Sequence, residues 1–143
     1  MLSNSSKYAV KAVLFLALNS SEGAKVSVKD IADPINVPQA YIAKLLQALA
    51  KEGIISSTRG PKGGFYLSEE DLEQSIISII KVIDGKKRLT SCLLSLENCN
   101  EGKPCPLHDI LSVSRNHIIE QLQTKSIKDL ALSVKSGRTF LPL

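Results

Sequence analysis

The stretch CLLSLENCNEGKPCPLH, residues 92–108, holds all three cysteines of the chain and one of its two histidines. Thiolates and imidazole are the side chains that bind soft and borderline metals, and Cys92, Cys99, Cys105 and His108 are the candidate donors. Asn98, Asn100, Gly102 and Pro104 allow the tight turns that would let such donors converge on one small object. The spacing admits several chemistries. A Cys3His set is a common structural zinc site; two of the thiols could join as a disulfide under oxidation; or these are ordinary cysteines beside a surface histidine. The other histidine, His117, reads as a helix-surface or interface residue with no ligand role.

Nothing about stability demands these cysteines. At 143 residues the chain is long enough to bury a core without staples. Its 43% hydrophobic and 22% charged residues are the balance of a globular protein. The apolar run from Ala9 to Leu18 is broken by Lys11 and is too short to span a bilayer, and no cleavage site follows it. With an odd number of thiols, the expected compartment is the reducing cytoplasm, without membrane association.

Charge is distributed unevenly. Residues 1–66 carry eight Lys and Arg against four acids, whereas the remainder is neutral. A basic N-terminal half predicts an anionic partner for that half.

The periodicity predicts a mainly α fold with one small β-hairpin. A helix capped by Ser5 or Ser6 runs to Leu18, apolar on nearly every side, so it should meet both its own domain and another subunit. Tyr8 on it reads as core. Ser27 and Asp30 are spaced to cap a short helix stopping near Pro34. Pro38 then opens a longer helix that Gly53 ends, with Ile42, Leu45, Leu46 and Leu49 facing inward. Residues 54–58 and 65–67 predict two strands around the turn-rich tip RGPKGG. A helix pair followed by a basic hairpin is the winged helix-turn-helix pattern, which binds double-stranded DNA.

On that pattern Gln39, Ala40, Tyr41 and Lys44 start the recognition helix, where base edges are met. Arg59 and Lys62 are placed for phosphate or minor-groove contact, Lys44 as a further phosphate candidate, with Lys7 and Lys29 as weaker ones. Gly63 and its neighbouring glycines would let the backbone run close to the duplex. Beyond the wing, Ile76–Ile83 predicts another helix. Leu107, Ile110, Leu111, Ile118 and Leu122 mark a long one from Pro106 to about Gln123, assigned to a homodimer interface. A last helix over 124–134 carries Ser126 and Asp129 at capping-box spacing, and the tail KSGRTFLPL is expected to be loose or to lie on the surface. The predicted organisation is a winged helix-turn-helix domain over 1–84, a cysteine-rich loop over 85–108, and a dimerisation helix with a C-terminal helix over 105–143.

From Ser6 through Leu130, RGPKGGFYL at 59–67 and the pattern Cys92-x6-Cys99-x5-Cys105-x2-His108 resemble the IscR/NsrR/CymR family of winged-helix transcription regulators, in its iron–sulfur-cluster-binding branch. The resemblance implies a cluster held by Cys92, Cys99, Cys105 and His108. It favours [2Fe–2S] over [4Fe–4S], because four-iron relatives take an acid near the partner's N-terminus and this chain has none before Glu22. Two departures matter. The first cysteine gap is six residues, one longer than the usual five. Ala43 and Lys44 stand where IscR-like relatives have an acid and a glutamine, so the operator sequence does not carry over.

The resemblance thus implies a homodimeric DNA-binding regulator, expected to repress, that senses redox state, nitric oxide or iron–sulfur status. The alternative is a cluster-free winged-helix regulator controlled by thiol oxidation, zinc or a protein partner. An enzyme is not expected, since there is no phosphate loop and no nucleophile–base arrangement.

Overall fold

The computed structural model describes residues 2–94 and 99–143. Asn98, one of the turn residues expected in the donor loop, lies outside the described residues. The described residues form α1 (Asn4–Asn19), α2 (Val28–Ile35), α3 (Gln39–Lys51), β1 (Ser56–Thr58), β2 (Gly64–Tyr66), α4 (Glu69–Leu72), α5 (Ile76–Asp84), α6 (His108–Thr124) and α7 (Ile127–Lys135).

Helix α1 is the hub. Ala9, Ala12, Val13 and Leu16 are fully buried, and α2, α3, α5 and α7 pack around it. Its cap is Ser3, whose hydroxyl accepts from the Ser6 N–H, rather than Ser5 or Ser6. Ser6 cannot serve because it lies inside the helix, fully buried. Helix α2 begins as expected, with Ser27 accepting from the Asp30 N–H, and stops near Pro34 as expected, its last residue being Ile35. Its end comes at Asn36 in the left-handed conformation (φ 58°, ψ 52°), a backbone state that asparagine tolerates better than most residues. Beyond this bend the chain enters α3, which packs against α2. On α3, Ile42, Leu46 and Leu49 are fully buried and Leu45 packs beside them, the inward stripe expected from the sequence.

The wing is an antiparallel pair in which Ser56, Ser57 and Thr58 face Tyr66, Phe65 and Gly64. It is docked at two points. Val26 and Phe65 exchange N–H···O bonds of 2.9 and 2.8 Å. The buried Asp71 carboxylate accepts from Ser56 Oγ (2.6 Å) and from the Ser68 N–H (3.0 Å), completing a capping box that starts α4.

Helix α6 begins at His108, two residues after the expected Pro106, which instead lies in the turn closed by His108 N–H to Cys105 O (2.9 Å). Helix α7 has the full Ser126–Asp129 capping box. It returns to the head, with Ile127 N–H bonded to Gln74 O (2.9 Å) and Ile76 N–H bonded to Lys125 O (3.1 Å). Ile127 and Ala131 are buried, so the segment assigned to dimerisation also supplies part of the head's core. In the tail, Leu141 packs onto that core while Phe140 and Leu143 are exposed.

The two ends of the head meet at Asp84, the last residue of α5. Its carboxylate accepts from the Ser3 hydroxyl and from the Ser3 N–H (3.1 Å). Burial pushes this carboxyl up, but the two Ser3 bonds outweigh it. The Ser6 side chain and the Arg88 charge pull the same way, although buried Ser6 Oγ makes no bond of ordinary geometry among the described residues. The net value lies below the usual carboxylate range. A depressed folded pKa stabilises above the unfolded value of about 3.9 and loses that stabilisation as pH falls through the folded value. Asp84→Asn is therefore expected to lower the melting temperature at pH 7, with a smaller gap from the parent at pH 3. Melting curves at the two pH values check this, and an equal gap at both would contradict it.

Candidate functional site

The donor loop joins the end of α5 to the start of α6, and the four expected donors fall into two pairs. Cys92 Sγ lies 3.5 Å from Cys105 Sγ, and Cys99 Sγ lies 3.0 Å from His108 Nδ1. Among the described residues no three His, Cys, Asp or Glu side chains gather as a site for one metal ion. Two thiolates bonded to one tetrahedral metal at about 2.3 Å stand roughly 3.7 Å apart, so the Cys92–Cys105 separation suits two donors on one metal. The donors are half-buried. Local backbone explains their convergence: Asn100 Oδ1 accepts from the N–H groups of Gly102 (2.8 Å) and Lys103 (3.2 Å), turning the chain back toward α6. His108, as the first residue of α6, ties this turn to the helix.

A fifth residue belongs to the site. Arg115 donates through Nη2 to Cys99 Sγ (3.4 Å) and through Nη1 to Ser91 O (3.1 Å). Sequence reasoning missed it. The available signal was its place seven residues after His108, two helical turns along the same face.

On the basic half, Gln39, Ala40 and Lys44 are exposed on α3, as is Lys29 on α2. Tyr41 is half-buried: its hydroxyl lies 2.8 Å from Ser5 Oγ, and its ring meets Tyr8 edge-on at 5.9 Å. Tyr41 thereby docks α3 onto α1. Tyr8, expected as core, packs partly buried against the core and also carries Lys11 Nζ over its ring, 5.8 Å from the centroid. Arg59 and Lys62 are exposed at the wing tip. Gly63 closes that tip through its N–H to Gly60 O (2.9 Å), and a Cβ built on it would lie 2.3 Å from Thr58 O. Between α3 and the wing runs a groove of about 540 Å³ lined by Gln47, Ser57, Thr58, Arg59 and Phe65. Of the basic candidates, Arg59 lines this groove, whereas Lys29 and Lys44 are exposed on α2 and α3 and Lys62 at the wing tip, on elements distinct from the cysteine pairs.

No residue of α6 is fully buried. Ile110 and Val113 are 68% and 74% exposed, and Ile118, Leu93 and Leu94 are exposed as well. Of the expected stripe, Leu122 packs on the core, and Leu107 and Leu111 are half-buried. His117 is exposed and outside both donor pairs. Among the described residues no helix is long and apolar enough to cross a membrane.

Comparison with known proteins agrees with this architecture. The Rrf2 family, described as an iron-dependent transcriptional regulator, matches residues 2–132. An HTH-type transcriptional regulator of Aquifex aeolicus is 32% identical over 132 residues, 91% of this chain and 90% of the relative. The HTH-type transcriptional regulator IscR of Photorhabdus laumondii is 32% identical over 129 residues, 90% of this chain and 77% of the relative. The structure of CymR, the global cysteine regulator of B. subtilis, superposes with a TM-score of 0.74 at 26% identity, covering 92% of this chain and 96% of that one.

Proposed function

The chain belongs to the Rrf2 family of transcriptional regulators, and from that premise we propose that it is a homodimeric, DNA-binding repressor whose operator affinity follows the state of an iron–sulfur cluster. Its work is regulation rather than catalysis. Cys92, Cys99, Cys105 and His108 would hold the cluster, with [2Fe–2S] favoured over [4Fe–4S].

The observation that carries this reading is the pairing of donors two by two. A two-iron cluster takes two protein ligands on each iron, whereas one zinc needs four donors around a single point. A cluster there would supply a one-electron redox couple and sensitivity to nitric oxide or oxygen. The chain's own residues do the rest. His108 is both a donor and the first residue of α6, so whatever fixes its ring fixes the start of that helix. The exposed apolar residues of α6 suit a second copy of the chain, and a shift of α6 in such a dimer changes the spacing of the two reading heads. Thiol donors of this kind fit a cytoplasmic setting.

Anaerobic purification followed by visible absorbance and by iron, sulfide and zinc assays tests the proposal. A brown protein with comparable iron and sulfide is expected; a colourless, iron-free protein that still binds its operator fully would overturn it. The 3.5 Å approach of Cys92 to Cys105 also favours a second reading, a cluster-free thiol switch. Little closure is needed to reach the roughly 2.05 Å of a disulfide, with a peroxide as two-electron acceptor. Zinc or a protein partner are further outcomes of the same assays.

For DNA, Gln39, Ala40 and Lys44 are proposed to meet base edges from α3, with Tyr41 holding that helix in place. Lys29, Lys44, Arg59 and Lys62 contact phosphates or the minor groove, and Gly63 lets the tip approach. Arg59→Ala is expected to weaken binding to all DNA sequences alike and to reduce the log–log salt slope by about one, because one cationic contact is lost. Titrations at several salt concentrations measure that slope, and a value equal to the parent's removes Arg59 from the contact set.

A further inference from the structure

We infer that Arg115 is the positioning residue that fastens the donor loop to α6 and sets the charge environment of the Cys99 sulfur. The inference rests, for its electronic half, on the iron–sulfur reading above.

His108 and Arg115 stand two turns apart on one face of α6, and both reach Cys99 Sγ, at 3.0 and 3.4 Å. The other arm of the same guanidinium holds the carbonyl of Ser91, the residue before Cys92, at 3.1 Å. One planar fork therefore spans the beginning of the loop and its middle donor, and anchors both to the helix proposed for the dimer interface. Arginine suits this task. Its donors have fixed relative directions and its charge is permanent, whereas a lysine ammonium is a point donor that cannot hold both partners in the same way. The side chain is half-buried, lining a groove of about 340 Å³ with Leu89, Leu111 and Ile118, which fixes the direction of the fork.

Two consequences follow from this geometry. Without the fork, the segment around Ser91 and Cys92 loses its attachment to α6. A cationic N–H donor on a ligating sulfur also favours the more negative, reduced form of a cluster, and hydrogen bonds to sulfur are among the features that set cluster potentials. Removing Arg115 should therefore lower the reduction potential.

The test uses the full chain with R115A and R115K. In metal-free, reduced protein, hydrogen–deuterium exchange over residues 89–94 should speed up roughly tenfold or more in R115A, as expected for loss of a charged hydrogen bond, with the wing unchanged. R115K should exchange as fast as R115A, since it lacks the fork. In anaerobically loaded protein, a redox titration followed by visible absorbance should show a lower midpoint in R115A, largely restored in R115K, which keeps the charge. Unchanged exchange in R115A overturns the fastening role, and an unchanged midpoint overturns the electronic role. If the parent protein takes up no cluster, the iron–sulfur reading fails by itself, and the exchange experiment still decides whether Arg115 fastens the loop.

Discussion

Cys99→Ala is expected to lower iron retained after anaerobic purification by well over tenfold while leaving the fold intact. The sulfur of Cys99 is the point on which His108 and Arg115 converge from α6, so the substitution removes a donor and separates the remaining ones. Losing only a residue that supports a metal ligand typically costs about 10–100-fold in metal affinity, and losing the ligand itself should cost more. The fold should tolerate the change because Cys99 is half-buried in a loop and takes no part in the core around α1. Iron and sulfide per protomer, read beside far-ultraviolet circular dichroism, give the answer. Unchanged iron and sulfide with a native spectrum would remove Cys99 from the ligand set and reopen the thiol-switch reading.

Gly63→Ala should produce the opposite pattern, with DNA binding weakened and the donor loop untouched. A Cβ at this position would lie 2.3 Å from Thr58 O, 2.7 Å from Arg59 C and 2.9 Å from Arg59 O. All three are backbone atoms, so no side chain can swing aside, and the wing tip must open. Forced adjustments of this kind cost about 1–3 kcal/mol, and opening the tip displaces Arg59 from its place beside the groove. The expected result is a rise in operator Kd of roughly tenfold or more, at about 1.4 kcal/mol per decade. Iron content should stay at the parent's value. Fluorescence anisotropy with an operator duplex measures the effect, and binding within about twofold of the parent would show that the tip is not part of the interface.

Elements governed by neighbouring residues were legible in the sequence, and those governed by distant contacts were not. Ser126 and Asp129 announced the α7 capping box three residues apart, and the spacing of Ile42, Leu46 and Leu49 announced the buried face of α3. The start of α1 was misplaced because three serines at positions 3, 5 and 6 compete locally. Asp84, some eighty residues away, favours Ser3 by accepting from its hydroxyl and N–H. The end of α2 near Pro34 was legible as well, whereas the left-handed backbone of Asn36 that completes the stop was not. At the candidate site the donor types and their loop could be read directly. Their division into two pairs, and the part taken by Arg115, depend on α6 folding back beside the loop, so residues 16 and 24 positions apart meet.

The return of α7 to the head has a consequence for how the protein comes into being. Ile127 and Ala131 close the core against α1, at the opposite end of the chain. Synthesis proceeds from the N-terminus, so the donor loop and the whole of α6 must be translated before the head can close. A nascent chain, or one cut before Ile127, has an open core where α7 should sit. The order of elements along the chain means that this core is completed only after the cysteine loop has been made.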